Sequence, residues 1–177
     1  MTVRRATAAD AVGIVAPVTV RRATAADAVG IAHVHVAAWR EAYARQLPAD
    51  LLAGLDEERR AAGWAALIES GRTAVWVAEA AGTIIGWASA GSGRDASAPV
   101  SLELEGIYVL AGAHGSGAGQ LLLDAAVGAA DAYLWVMADN PRAYAFYRRN
   151  GFTADGGSKV ERIGDVAVDV VRLVRRR

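Results

Sequence analysis

The chain of 177 residues has no cysteine, which excludes disulfides and thiolate metal sites and fits a cytoplasmic protein. Lysine is reduced to Lys159 alone. A Walker A loop needs Gly-Lys-Ser/Thr at its end, so that way of holding a nucleotide is excluded too. Net charge is absent, since 19 basic residues cancel 19 acidic ones, and nothing points to nucleic-acid binding by bulk electrostatics. The terminal Arg175-Arg176-Arg177 reads as a solvated strand end. No apolar run approaches the ~18–20 residues of a membrane span, and the opening residues lack the basic-then-apolar pattern of a signal peptide. What remains is a chain with 54% hydrophobic residues, ample for the core of one domain.

The most informative stretch is Ser101 to Leu123. Its first part, Ser-Leu-Glu-Leu-Glu-Gly-Ile-Tyr-Val-Leu, has strand character, and its last part places Leu121, Leu122, Ala125, Ala126 and Ala129 at helical spacing. Gly112, Gly115, Gly117 and Gly119 lie between, where missing side chains leave backbone N–H groups open to a ligand. A helix starting near Gly117 has unpartnered N–H groups and the positive end of its dipole at that point, which suits phosphate. A dinucleotide fingerprint fits poorly, because the third glycine arrives one position early in Gly115-x-Gly117-x-Gly119. A glycine-rich turn serving only tight strand-to-helix packing is the plain alternative.

His114-Gly115-Ser116-Gly117-Ala118-Gly119, following Tyr108-Val109, resembles the acetyl-CoA motif of the GNAT family of N-acetyltransferases, usually Arg/Gln-x-x-Gly-x-Gly/Ala. His114 stands where the family has Arg or Gln, and Ala111 where it commonly has Pro. Asn140-Pro141-Arg142-Ala143-Tyr144-Ala145-Phe146-Tyr147, continuing to Gly151-Phe152, is similar to the second signature of that family, Asn-x-x-Ala-x-x-Phe-Tyr-x-x-x-Gly-Phe. The resemblance covers about Val20 to Val174. It implies an α/β GNAT fold, with a mixed, mostly antiparallel central sheet flanked by helices. It also implies acetyl-CoA as cosubstrate, held by Ile107, Tyr108, Val109, the His114 to Gly119 loop, Asn140 and Tyr147.

The rest of the chain fits that outline. Ile31, Val34, His35, Ala38, Trp39 and Ala42 form one apolar helix face, on which His35 and Trp39 serve either the core or an acceptor pocket. With His33 nearby and no other ligand cluster, no metal site is expected. Pro48 opens a second helical region through Ile68, with Asp56 to Arg60 on its exposed side and Gly71 as its stop. Val75–Ala80 and Thr83–Ala90 flank Ala81-Gly82 as a hairpin, Ser92 to Pro99 is a loop, and Leu134–Met137 and Val166–Val174 are further strands. Asn140 and Pro141 have the chemistry of an N-cap and first helical residue, and Gly151 that of a helix end. The Trp39 to Pro48 segment resembles the first helix connection of small GNAT enzymes, which implies an acceptor site near Trp39 and Tyr43.

The chemistry follows from acetyl transfer to an amine. An alkyl amine titrates near pH 10.4 and must lose a proton before it attacks a thioester. Strand alternation puts Glu103 and Glu105 on the same side as Ile107 and Val109, and the resemblance makes a carboxylate on this strand the base; both could equally be solvent-facing acids. The resemblance gives the leaving thiolate to Tyr147. With phenol near 10 and thiol near 8.5, full proton transfer is uphill by roughly 2 kcal/mol, so Tyr147 is either acidified or acts as a hydrogen-bond donor. The expected function is acetyl transfer to a primary amine of a small molecule or to a protein N-terminus, with a homodimer compatible and no nucleic acid or membrane partner. A non-catalytic acyl-CoA-binding module with the same fold is the alternative from another class.

Thr2 to Ile14 recurs unchanged as Thr19 to Ile31. Both copies encode a short strand and a capping box, Thr24 and Asp27 in the second, but only the second continues into the apolar helix face, whereas the first meets Pro17. Residues 1–18 are therefore read as a duplicated extension and 19–177 as the domain. Deleting residues 1–17 should leave the thermal midpoint unchanged, and a large loss would make the first copy integral to the fold.

Overall fold

The computed structural model describes residues 16–177, so the first copy of the repeat lies outside the described residues. Seven strands form one sheet in the order β1-β2-β3-β4-β5-β7-β6. They are β1 (Thr19–Arg22), β2 (Thr73–Ala80), β3 (Thr83–Ser92), β4 (Leu102–Val109), β5 (Ala132–Met137), β6 (Thr153–Ile163) and β7 (Val166–Arg175). Every neighbouring pair is antiparallel except β4 and β5. The helices are α1 (Ala28–Ala42), α2 (Ala49–Ala53), α3 (Glu57–Ser70), α4 (Ala118–Val127) and α5 (Pro141–Arg149). None of the described helices is long and apolar enough to cross a membrane. This is the mixed, mostly antiparallel α/β architecture expected.

The two faces of the sheet are covered differently. Leu122, Leu123 and Ala126 of α4 pack with Ala88, Leu104 and Leu134 on one face, while Ile31 and Val34 of α1 and Trp64 of α3 pack with Val75, Val77 and Trp87 on the other. Gly86 lets α4 approach β3 closely, since a Cβ there would stand 3.1 Å from Leu122 Cδ1 and 3.0 Å from the Tyr108 carbonyl oxygen. Local signals set the boundaries. The Asp27 carboxylate accepts the Thr24 N–H at 2.7 Å, the reach-back half of a capping box, just before α1.

Two local expectations are corrected, and one strand is added. The helical region from Pro48 is two helices, because Asp56 leaves the helical conformation and its side chain accepts the Arg59 N–H as the N-cap of α3. Thr153–Ile163, polar and containing Gly156-Gly157, is a strand at the sheet edge that pairs on one side only. On β4, Gly106 pairs with Ser89 and Leu104 with Ala90, so Glu105 is an extra residue that breaks the alternation. Leu104, Ile107 and Val109 consequently pack on the α4 face, and Glu103 does not share a side with Ile107 and Val109.

The hairpin turn between β2 and β3 has φ of 50° at Ala81 and 74° at Gly82, the double positive φ of a type I′ turn. Alanine is strained there. Ala81→Asn should stabilise the protein by about 0.5–1 kcal/mol, read as a raised urea midpoint; an unchanged midpoint would show that the turn relaxes around alanine.

Candidate active site

Beyond Glu103 opposite Tyr133, the parallel strands β4 and β5 have no further register pair, although each runs on, to Val109 and Met137. The sheet therefore opens at its centre. The opening is a cleft of about 850 Å³, lined by the end of β4, the start of α4, the first turns of α5 and the last turn of α1.

The glycine loop forms its phosphate-sized end. Gly115 and Gly117 have φ of 82° and 88°, and a Cβ at either would meet nothing within 4 Å, so the backbone there borders open space. The first bond of the α4 ladder from this loop is the Leu121 N–H to the Gly117 carbonyl, at 3.1 Å, which leaves the preceding N–H groups of Gly119 and Gln120 ahead of the ladder. His114 lines the same wall, with Nε2 3.0 Å from the Val109 carbonyl oxygen and Nδ1 4.0 Å from Glu41 Oε1. Ser116 is not at the cleft surface; its Oγ accepts the Ala118 N–H at 3.3 Å.

From α5, Asn140, Phe146 and Tyr147 line the cleft. The Asn140 side chain accepts the Ala143 N–H at 3.1 Å and Pro141 follows, so this residue starts the helix as its N-cap. Tyr147 is buried between Phe146 and Phe152. Burial first, and then neighbouring Tyr43, pushes its phenol far above the ordinary range. Tyr147 is therefore protonated at any working pH and is not acidified.

Ile107, Tyr108 and Val109 are brought to the cleft as expected, and so is Tyr43, whose hydroxyl lies 2.8 Å from that of Tyr108. Trp39 is not. Its ring packs 5.2 Å from those of His35 and Tyr43, one layer behind the cleft wall.

Glu103 and Glu105 are not at the cleft either. Glu103 is buried and accepts from the Arg94 N–H at 2.9 Å, from Arg94 Nη2 at 2.6 Å and from the Tyr133 hydroxyl at 2.9 Å. Burial alone would raise its carboxyl, but the bonds from Arg94 and Tyr133 outweigh that and hold it below the usual range. Glu105 accepts from Thr73 Oγ1 at 3.1 Å. Both carboxylates are thus committed to structure. The acids that do line the cleft are Glu41 and Asp139, which sequence reasoning missed. Asp139 stands beside the Asn140 signature, and Glu41 lies two residues before Tyr43; each adjacency was the available signal.

Behind the cleft, His35 sits among Trp39, Trp64, Trp87 and Tyr108, with ring centroids 5.2 to 6.0 Å away. Neither ring nitrogen has a hydrogen-bond partner. Burial, with Arg60 nearby, lowers its pKa to about 4. The unfolded chain takes up this proton near pH 6.5 and the folded chain only near 4, so stability is full above 6.5 and is lost as pH falls between the two. The loss amounts to roughly 3 kcal/mol. His35→Phe should flatten that part of the stability profile in urea unfolding, whereas an unchanged acid slope would place the proton elsewhere.

Comparison with known proteins agrees with this geometry. A GCN5-related N-acetyltransferase from Rhodopseudomonas palustris superposes with a TM-score of 0.66 at 21% identity, over 92% of this chain and 97% of that one. A ribosomal-protein-alanine N-acetyltransferase from Brucella melitensis does so with a TM-score of 0.65 at 26% identity, over 89% and 98%. The PaiA N-acetyltransferase from Thermoplasma acidophilum, solved in complex with coenzyme A, gives 0.62 at 16% identity, over 90% and 99%. No curated protein matches the chain. Residues 35–152, more than half of the chain, match the acetyltransferase (GNAT) family, and the chain belongs to that family.

Proposed function

We propose that this acetyltransferase moves the acetyl group of acetyl-CoA onto a primary amine in the central cleft. The observation that carries the reading is convergence: the end of β4 beyond its last pairing with β5, the start of α4 and Tyr147 all line one cleft. Acetyl-CoA supplies an acetyl thioester, a pyrophosphate and an arm containing amides, and each has a counterpart here. The Gly115 to Gln120 backbone suits the pyrophosphate by its free N–H groups and the dipole of α4. The parted strand offers main-chain donors and acceptors to the amides, as an exposed sheet edge does to an added strand.

As the amine nitrogen bonds to the acetyl carbon and the carbon–sulfur bond breaks, the amine releases a proton and the sulfur leaves as a thiolate. Tyr147 holds a proton at its hydroxyl and donates a hydrogen bond to the sulfur. Because burial makes its phenol a still weaker acid, the donor role replaces the acidified one. Glu41 and Asp139 are the carboxylates placed to take the amine proton, directly or through water, instead of Glu103 and Glu105. Domain boundaries at 19–177, with residues 1–18 as a duplicated extension, belong to the same proposal.

Tyr147→Phe keeps the ring and should leave acetyl-CoA affinity unchanged while lowering kcat by about 10²- to 10³-fold, as loss of one hydrogen-bond donor to developing charge does. In the wild type, kcat should show no loss attributable to Tyr147 ionisation below about pH 10. Wild-type turnover in the variant, with an acceptor for which chemistry is rate-limiting, would reduce Tyr147 to packing. Gly117→Asp would place a carboxylate in the phosphate position. The wild type at about 100 times the dissociation constant should gain roughly 2.7 kcal/mol from acetyl-CoA, and the variant should lose that gain. Release of free thiol with a panel of amines separates an enzyme from an acyl-CoA-binding module, which would bind without releasing thiol.

A further inference from the structure

β6 ends the sheet, and from Ser158 to Ile163 it pairs with β7 in unbroken register. The direction of its backbone groups can be read from the ladder on the other side of β7. The Ala138 N–H donates to the Asp169 carbonyl at 2.9 Å, so Asp169 presents its backbone to the β5 side, while Val168 and Val170 present theirs to β6. Glu161 and Lys159 stand opposite those two valines and therefore bond to β7. Ser158, Val160 and Arg162 alternate with them and point their N–H and C=O groups away from the sheet. Among the described residues no other strand covers that edge.

Exposed edges are commonly blunted by bulges, proline or charge of one sign. The register shift on β6 lies between Ala154 and Ser158, short of this segment, and the strand contains no proline. Its charges are of both signs. Lys159 and Glu161 share one face of the strand, with Nζ and Oε1 2.7 Å apart, and Lys159 is also held 4.2 Å over the Trp135 ring. On the opposite face Val160 is 63% exposed, an unusual place for a large apolar side chain.

We propose that β6 is a homodimer interface, pairing antiparallel with β6 of a second copy of this chain about a two-fold axis at Val160. Outward groups must meet outward groups, so the axis has to pass through a residue. Moving it one residue in either direction sets Lys159 against Lys159 of the partner subunit, or Glu161 against Glu161 of the partner subunit. Like charges directly opposite each other are unfavourable. An axis at Arg162 opposes two guanidinium groups, and one at Ser158 sets Val160 against Gly156 of the partner subunit, beyond the register shift. At Val160 the outward N–H groups of Ser158, Val160 and Arg162 all find carbonyls. Lys159 faces Glu161 of the partner subunit twice over, by symmetry, in the pairing where side chains stand closest. The valines meet at the axis.

Pairing over so short a segment is small beside the roughly 1,200–2,000 Å² of stable complexes, so the dimer is transient, with micromolar affinity. β6 lends no residue to the cleft, and the interface is independent of acetyl transfer.

Sedimentation velocity on the full chain between about 1 and 500 μM should show the mass rising from one chain toward two. Glu161→Lys breaks both charge pairs and should weaken association by about 10-fold or more. The double swap Lys159→Glu with Glu161→Lys restores opposite charges across the axis, and should return the affinity to within about 3-fold of wild type. Val160→Pro removes an N–H that β7 does not use, and should leave a folded monomer. Hydrogen exchange read by NMR gives a second measure: the Ser158, Val160 and Arg162 amides should gain protection as concentration rises, while those of Lys159, Glu161 and Ile163 are protected throughout. A monomer at every concentration would overturn the proposal, as would a dimer that survives both Glu161→Lys and Val160→Pro. Protection of the three outward amides that does not vary with concentration would assign the edge to a segment of the same chain, such as residues 1–15, and would equally overturn it.

Discussion

The site depends on one constraint: β4 and β5 are joined at Glu103–Tyr133 and part beyond it. A parted pair of strands leaves main-chain N–H and C=O groups that a closed sheet would satisfy, and such groups cost free energy unless water or a ligand meets them. The joint itself is reinforced. The Tyr133 hydroxyl reaches the Glu103 carboxylate, which also receives Arg94 from the loop after β3. Glu103 is therefore better understood as a clamp at the closed end of the opening than as a base within it. The crossover from β4 to β5 then runs through α4, so the positive end of that helix is delivered to the mouth of the gap that the strands create.

A second constraint is the aromatic layer beneath. Tyr108 projects from β4 away from the α4 face, hydrogen-bonds Tyr43 at the cleft and stacks toward His35 on the other side. His35, Trp39 and Trp87 each bury ring N–H or N atoms without partners, so this layer trades hydrogen bonding for packing of large rings. It lies behind a cleft suited to phosphates and amides.

The features legible in the sequence were those carried by local chemistry. The Ala81-Gly82 turn, the Thr24/Asp27 cap, the Gly115 to Gly119 helix start and the Asn140-Pro141 cap all sit where their residues require, and ten of the positions expected to hold acetyl-CoA line one cleft. What was not legible depended on tertiary partners. Alternation in Ser101 to Val109 gave no sign that Glu105 would be squeezed out of register by β3, and that one bulge reverses the side on which Glu103 lies relative to Ile107. The break at Asp56 was hidden inside a charge run that suits a helix face as well as a helix start. β6 has little apolar patterning because it lies at the sheet edge, where burial asks little of its side chains. Trp39 could be assigned to the apolar face of α1, but not to the layer behind Tyr43, since that depends on Arg60 arriving from α3.

The central claim is that the backbone at the start of α4 holds the pyrophosphate of acetyl-CoA at the mouth of the gap between β4 and β5. The most direct measurement is the response of backbone amide resonances, residue by residue, as acetyl-CoA is added. The amides of Gly115 to Gln120 and of β4 from Ile107 to Val109 should show the largest shifts and gain protection from hydrogen exchange, with α3 little affected. Unchanged Gly117 to Gln120 amides under saturating acetyl-CoA, or largest shifts around Arg60 and Trp64, would contradict the account.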